Sequence, residues 1–337
     1  MLFTPFSLKQ LVLKNRVVMP PMCMYCATDD GMVTDWHVLH YATRAVGQVG
    51  LIIVEATSIE PRGRISNRDL GIWDDAHVAG LKRIVNDVHA QGSKIAIQLG
   101  HAGRKSEATN SVPVAPSAIA FNEECGMPTS LVAEEIKDIV QKFAKAAKRA
   151  VAAGFDAIEL HAAHGYLINQ FLSPLANLRT DEYGGSFENR VRLLKEVLIS
   201  VRAVVPSEMP IIVRVSAEEY HAEGNKPEDV ADMLNLVKDY GIDLVNVSSG
   251  AVISVMPRVF PGYQIPMALV IKQKTGLPVL GGGLVTEPTQ ALQLVKAGID
   301  LIYTGRVLLR NPYWTLQAAH LLQEEIDWPT SYIRGKW

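Results

Sequence analysis

The sequence predicts an α/β protein built as a single (β/α)8 TIM barrel, and three observations predict it. Eight short apolar runs, each ending in small or polar residues, follow one another: Val17–Cys23, Leu51–Ala56, Lys94–Gly100, Ala157–Ala163, Pro210–Ala217, Leu244–Gly250, Pro278–Gly283 and Leu301–Arg306. Near-continuous apolarity of this kind is the pattern of strands buried on both faces of a parallel sheet. Segments with helical spacing lie between the runs. The 337 residues suffice for eight such units, and no Ser/Gly linker, charge run or low-complexity stretch marks a domain boundary. An open doubly wound sheet of eight strands is the alternative. Eight alternating units in one chain favour closure.

The elements follow in order. The run starts lie 23 to 63 residues apart, whereas a bare βα unit needs about 30. The excess falls after the third run (His101–Ser130) and after the fourth (Tyr166–Arg190). The first insertion is rich in Ser, Thr and Asn and carries Pro113, Pro116 and Pro128. Loops after barrel strands sit at the catalytic face, so residues 101–130 are expected to cap the barrel as a lid rather than hang as a disordered loop. The clearest helix is Ala133–Ala153. Ile136, Ile139, Val140, Phe143, Ala147, Ala150 and Val151 form one stripe, with Lys142, Lys145 and Lys148 on the other face. A tail, residues 326–337, closes the single domain 1–337.

Composition narrows the function classes. Apolar residues make up 48 % and charged residues 20 %, which argues against disorder. A net charge of −2 offers no basic field for nucleic acid or an anionic membrane. No apolar run approaches the roughly 18 residues of a spanning helix. The first residues alternate apolar positions with Lys9, Lys14 and Arg16 and do not read as a signal peptide. Three cysteines cannot staple a chain of this size, so a reduced, cytoplasmic setting is expected.

The residues that end barrel strands point at the active site. Here they include Pro20, Pro21, Met22, Cys23 and Tyr25; Glu55 and Ala56; Gln98 and His101; His161, His164 and Tyr166; Arg214; Ser248 and Ser249; Gly281, Gly282 and Gly283; and Gly305 with Arg306. The last two groups suit a phosphate. Glycines let the backbone approach an anion closely, and arginine offers a planar fork to its oxygens. A tight turn without a ligand is the plainer reading. Phosphosugars and flavin mononucleotide (FMN) both fit such a cup. His161 and His164 admit three readings: half of a metal site, two structural histidines, or a donor pair that grips a carbonyl or phenolate oxygen with Tyr166 as a nearby acid. The absence of a His-Glu-x-x-His pattern, and of acidic or thiol strand ends other than Glu55 and Cys23, favours the oxyanion grip over a metal. Cys23 and Cys26 have redox or zinc spacing, but Cys125 is the only other cysteine. A single thiol at Cys23 facing a cofactor is the favoured reading, with no role for Cys26.

Four stretches carry a resemblance. Pro20-Pro21-Met22-Cys23-Met24-Tyr25, Ile97-Gln98-Leu99 with His101-Ala102-Gly103-Arg104, His161-Ala162-Ala163-His164-Gly165-Tyr166-Leu167 and the run Asn177–Ser186 resemble the Old Yellow Enzyme family, in its bacterial thermophilic-like branch of NADPH dehydrogenases. The resemblance covers essentially the whole chain. It implies an FMN-containing barrel that takes hydride from NADPH and passes it to the activated C=C bond of an α,β-unsaturated aldehyde, ketone or related compound. Pro20, Pro21, Met22, Cys23, Ala56 and Gln98 are then expected to line the flavin ring. Arg214 is expected near its N1 and C2 carbonyl, and Gly282, Gly283, Gly305 and Arg306 at its phosphate. Tyr25, His161, His164 and Tyr166 would face the substrate, the histidines holding its carbonyl oxygen and Tyr166 supplying a proton. Cys23 would tune the flavin. Quinones and phenolic ligands are further expected partners.

The resemblance also implies a homodimer or homotetramer in which Arg334 reaches a neighbouring subunit's site, although Lys336 departs from the usual ending, where tryptophan directly follows glycine. A flavin-free barrel aldolase or isomerase would want a lysine or an acidic pair at the strand ends, and no lysine stands there. A non-catalytic flavin-binding protein would not need His161, His164 and Tyr166. No cysteine follows Cys125, which argues against the iron–sulfur relatives.

Overall fold

A computed structural model describes residues 1–109 and 111–337. The chain opens with a hairpin, β1 (Phe6–Leu8) paired antiparallel with β2 (Leu11–Leu13). There follow β3 (Val17–Met19), α1 (Asp35–Val46), β4 (Leu51–Ser58), α2 (His77–Ala90), β5 (Lys94–Gly100), β6 (Val114–Ala115), β7 (Thr129–Ser130) and α3 (Ala133–Ala153). Next come β8 (Ala157–Ala162), α4 (Leu167–Leu172), α5 (Phe187–Arg190), α6 (Arg192–Arg202), β9 (Ile211–Ser216), α7 (Pro227–Asn235) and β10 (Leu244–Ser248). The chain ends with α8 (Ile265–Thr275), β11 (Val279–Gly281), α9 (Pro288–Lys296), β12 (Leu301–Tyr303), α10 (Arg306–Arg310) and α11 (Trp314–Leu321).

Among the described residues, β3, β4, β5, β8, β9, β10, β11 and β12 close a barrel in chain order, every pair parallel. These are the eight predicted runs. The first and last strands are shorter than their runs. Pro20 and Pro21 lack the N–H a ladder needs, which ends β3 at Met19. Arg306 opens α10 instead of ending β12.

The core has two layers. Val18, Leu51, Ile53, Ala96, Ala157, Ile212, Leu244, Leu280 and Leu301 fill the barrel interior, and Leu11 and Leu13 of the hairpin join that cluster. A larger cluster lies between the barrel and its helices. The stripe of α3 belongs to it, with Ile136, Ile139, Phe143, Ala147 and Ala150 buried. Glu135 helps start α3 by accepting the Val132 N–H at 3.0 Å. Lys142 is not simply solvated: its Nζ reaches the buried Glu60 at 2.6 Å.

The insertion after β5 folds onto the barrel. Arg104 is buried and donates to the carbonyls of Ile119, at 3.2 Å, and Val252. Ser117 Oγ accepts from the Leu178 N–H at 2.9 Å, tying this insertion to the one after β8. Among the described residues no helix is long and apolar enough to cross a membrane.

Candidate active site

The segment following β8 brings three rings together. His161 lies on the strand, and the chain then turns through His164, whose φ of 60° is left-handed and uncommon for a non-glycine residue. The turn stacks the rings edge to face: His161–His164 centroids are 5.2 Å apart and His161–Tyr166 4.8 Å. His161 Nδ1 accepts the Ala163 N–H at 3.2 Å, so the neutral ring carries its proton on Nε2. His164 Nε2 meets Ser248 Oγ at 2.7 Å, and Ser248 Oγ also accepts from Gln264 Nε2 at 3.1 Å. With the serine proton directed at His164 Nε2, the Nδ1–H of that ring is left as its donor; with the serine accepting instead, the ring donates through Nε2.

Burial first, then the positive charge of Arg214, presses both imidazoles well below the usual histidine range, so both are neutral donors. Burial likewise raises the Tyr166 hydroxyl far above its ordinary value, and the group remains a protonated acid. The Cys23 thiol is pushed up by burial and by the nearby carboxylates of Asp69 and Glu55. It is therefore a thiol, not a nucleophilic thiolate. Tyr25 is half-exposed at the surface, its hydroxyl pushed up to about 12 by burial.

Beside this cluster opens a cavity of about 340 Å³ lined by Pro20, Pro21, Met22, Arg214, Gly283, Gly305 and Arg306, together with Ser248, Tyr263, Gln264 and Tyr303. Ala56 lines a small adjoining hollow with His161 and Tyr166. Gln98 lies buried on β5 and donates Nε2 to Glu159 Oε1 at 2.8 Å.

The glycines do two things. A Cβ at Gly282 would fall 2.5 Å from the Tyr303 ring, and Gly283 has φ +96° with Tyr263 2.9 Å from its would-be Cβ. Internal packing therefore demands glycine at both positions, while Gly283 also borders the cavity. A Cβ on Gly305 would meet Met22 Sδ at 3.2 Å and Pro20 Cγ at 3.4 Å, both on the cavity wall.

Arg214 is the electrostatic signature of the cavity. It is buried, its Nε has no hydrogen-bond partner, and among the described residues no carboxylate lies within 4.0 Å of it. A buried cation left in this state calls for an anionic or acceptor-rich ligand. Arg306 lines the same cavity, and the donor set fits the ring and phosphate of FMN. Among the described residues no three His, Cys, Asp or Glu side chains converge as a metal site.

Several contributors escaped sequence reasoning. Lys105 Nζ donates to the carbonyls of His164 at 3.0 Å and Ala251 at 3.3 Å, and sits 5.2 Å from the Tyr166 ring centre. Burial lowers its pKa to about 8. Gln264 is reached only through the loop before α8, and no sequence signal marks it. Ser248 was visible as a strand end, but its bond to His164 was not.

Arg334 is not brought to this site. The tail turns through residues Thr330–Gly335, Tyr332 packs on Tyr313 at 6.0 Å, and Trp337 stacks on His320 at 5.1 Å. Ile333 and Lys336 line a surface cavity with Lys14, Asn15 and Gln48, which lie at the starts of β3 and β4 and so at the opposite end of the barrel.

A parallel barrel with neutral donors and a buried, unpaired arginine at the C-terminal ends of its strands defines a ligand-binding enzyme site. Residues 1–325 match the NADH:flavin oxidoreductase / NADH oxidase family, and the chain belongs to that family, which includes Old Yellow Enzyme. The chain is 52 % identical over 336 residues to an NADPH dehydrogenase of Clostridium acetobutylicum, covering 99 % of each. Morphinone reductase has the same fold, with a TM-score of 0.83 at 32 % identity over 97 % of this chain and 91 % of that one. An Old Yellow Enzyme homologue from Zymomonas mobilis gives 0.82 at 31 % identity, over 97 % and 94 %. Membership in a family of flavin oxidoreductases sets aside the flavin-free aldolase or isomerase.

Proposed function

We propose that this NADPH dehydrogenase holds FMN in the cavity beside Arg214 and reduces activated C=C bonds of α,β-unsaturated aldehydes, ketones and related compounds. The observation that carries the reading is the set of neutral donors on His161, His164 and Tyr166 beside a cavity walled by an unpaired Arg214 and by Arg306. Bound there, FMN would supply the hydride relay between NADPH and the alkene.

This chain's residues do the rest. Pro20, Pro21, Met22, Cys23, Ala56 and Gln98 enclose the ring. Arg214 offsets negative charge at its pyrimidine end, and Gly282, Gly283, Gly305 and Arg306 accommodate the phosphate. His161 Nε2–H and His164 Nδ1–H donate to the substrate's carbonyl oxygen. Two such donors act most strongly as enolate-like charge develops on that oxygen. Tyr166, kept protonated by burial, delivers a proton to the α-carbon. Tyr25 closes the substrate side, and Cys23 tunes the flavin. Residues 101–130 act as a lid of this single FMN-binding domain. Quinones and phenols enter the same donor pair. In a homodimer or homotetramer, Arg334 would serve a neighbouring subunit.

The test is a visible absorption spectrum of the purified protein, followed by a para-substituted phenol. A yellow protein that gains a long-wavelength charge-transfer band supports both the flavin and the histidine grip. A protein that stays colourless after incubation with FMN overturns the reading.

A further inference from the structure

One layer beneath the two imidazoles lies a carboxyl group that the chemistry above leaves unused. Glu159 stands two residues before His161 on β8, so strand alternation turns both side chains to the same face. It is completely buried. Its Oε1 accepts from Gln98 Nε2 at 2.8 Å and its Oε2 from Asn246 Nδ2 at 2.7 Å. Gln98 is its register partner on β5, and Asn246 stands two residues before Ser248 on β10.

Both carboxyl oxygens receive N–H donors. Burial, the largest influence, pushes the Glu159 carboxyl above its usual range; Arg214 and the two amide donors pull the other way and suit the ionised form. Burying a carboxylate is costly, and a neutral side chain of similar size would fill this layer without that cost. The Asn246 Oδ1 is itself buried without a partner, so this polar layer is not optimised for stability alone. Gln98, with one amide N–H engaged by Glu159, is held in a fixed orientation and keeps its carbonyl oxygen and its second N–H to offer a ligand.

We propose that Glu159 is a positioning residue of the flavin site: it engages the Gln98 amide nitrogen so that the carbonyl oxygen serves the flavin ring, and its negative charge limits how strongly Arg214 favours reduced flavin. The inference rests on the FMN reading above.

The test compares holoprotein of the wild type, Glu159→Gln, Glu159→Asp and Asn246→Leu, with the potential of bound flavin measured against a reference dye. In Glu159→Gln the charge is lost. At a fixed potential its ratio of reduced to oxidised flavin is expected to rise tenfold or more. Glu159→Asp keeps the charge but cannot span both amides. It is expected to hold the wild-type potential while the FMN dissociation constant rises severalfold, and an unchanged constant overturns the orienting role. If Glu159→Gln does not fold, Asn246→Leu decides. Its lost carbonyl had no partner, and removing a donor from Glu159 favours protonation, so the potential should rise there too. A wild type that binds FMN while the decisive variant keeps its potential overturns the role of Glu159 alone. A wild type that takes up no FMN overturns the cofactor reading and this inference with it.

Discussion

The two ends of the barrel treat charge in opposite ways. At the N-terminal end, an aspartate stands one residue before β8, β10 and β12, and each is saturated. Asp156 accepts the Ile95 N–H at 2.9 Å and pairs with Lys94. Asp243 accepts the Ile211 N–H at 2.8 Å and pairs with Arg202 and Lys9. Asp300 accepts the Val279 N–H at 2.9 Å and pairs with Lys272. Each aspartate thus staples its strand to the one before. At the C-terminal end, Arg214 has no carboxylate within 4.0 Å among the described residues, His164 adopts a left-handed backbone, and neutral donors face a cavity. Matched charge at one end is a device for stability. Unmatched charge and strain at the other are held in place by that stability for use on a ligand.

The contrast is broken if substitutions at the two ends have the same kind of effect. The largest expected effect is at the top. His161→Ala removes one of the two proposed carbonyl donors, and such a loss costs about 2.7–4 kcal/mol of transition-state stabilisation. The kcat/KM for an alkene such as a cyclic enone should fall by about two to three orders of magnitude. Phenol binding should weaken, with flavin reduction by NADPH much less affected. Equal loss in both half-reactions would remove the carbonyl grip. Tyr166→Phe comes next, with alkene turnover slowed by about 100-fold, the lower range for a positioned acid. Quinones, which need little proton delivery, should be spared, and unchanged alkene rates would refute the acid role.

At the bottom the expected loss is of stability and not of rate. Asp243→Ala removes a partly buried acceptor from one backbone N–H and two cations. About 2 kcal/mol is expected, since charge-assisted bonds contribute more than neutral ones but exposed pairs contribute little. Chemical denaturation should show an earlier midpoint with an unchanged slope. The phenol band and kcat should match the wild type. A variant that kept its stability but lost phenol binding would invert the comparison.

These ends differ also in how legible they are. The eight barrel strands are readable because each is apolar on both faces, and that pattern survives without tertiary information. The hairpin of β1 and β2 is not, because strands of three residues are too short for alternation to stand out. The aspartate staples pass unnoticed, since one acid before an apolar run is an ordinary loop residue until its neighbour strand is known. His161, His164 and Tyr166 stand out as a compact group on one turn. Lys105, Gln264 and the bond of Ser248 to His164 do not: Lys105 reaches the His164 carbonyl and Gln264 reaches Ser248 only through loops that return from β5 and β10. Glu159 is an intermediate case. A lone acid inside the run Ala157–Ala162 is visible, but its pairing with Gln98 and Asn246 requires the closed barrel.

The smallest expected effect concerns the tail, which takes part in neither charge arrangement. In its own chain it lies toward the N-terminal end, so anything Arg334 does at a site must be done in another subunit. Its contacts at home are modest: an exposed Lys336–Glu325 pair at 2.6 Å and the stack of Trp337 on His320. An exposed pair of this kind is worth at most about 1 kcal/mol, so removing residues 334–337 should leave the fold standing. If Arg334 serves a neighbour, the truncated protein should bind a phenol several-fold more weakly while its flavin absorbance is unchanged. Because the arginine acts between chains, wild-type affinity should approach that of the truncated form as dilution separates the subunits. Equal affinity for the two proteins at every concentration would leave the tail a local surface feature, and the charge at the catalytic end would then be supplied by a single chain.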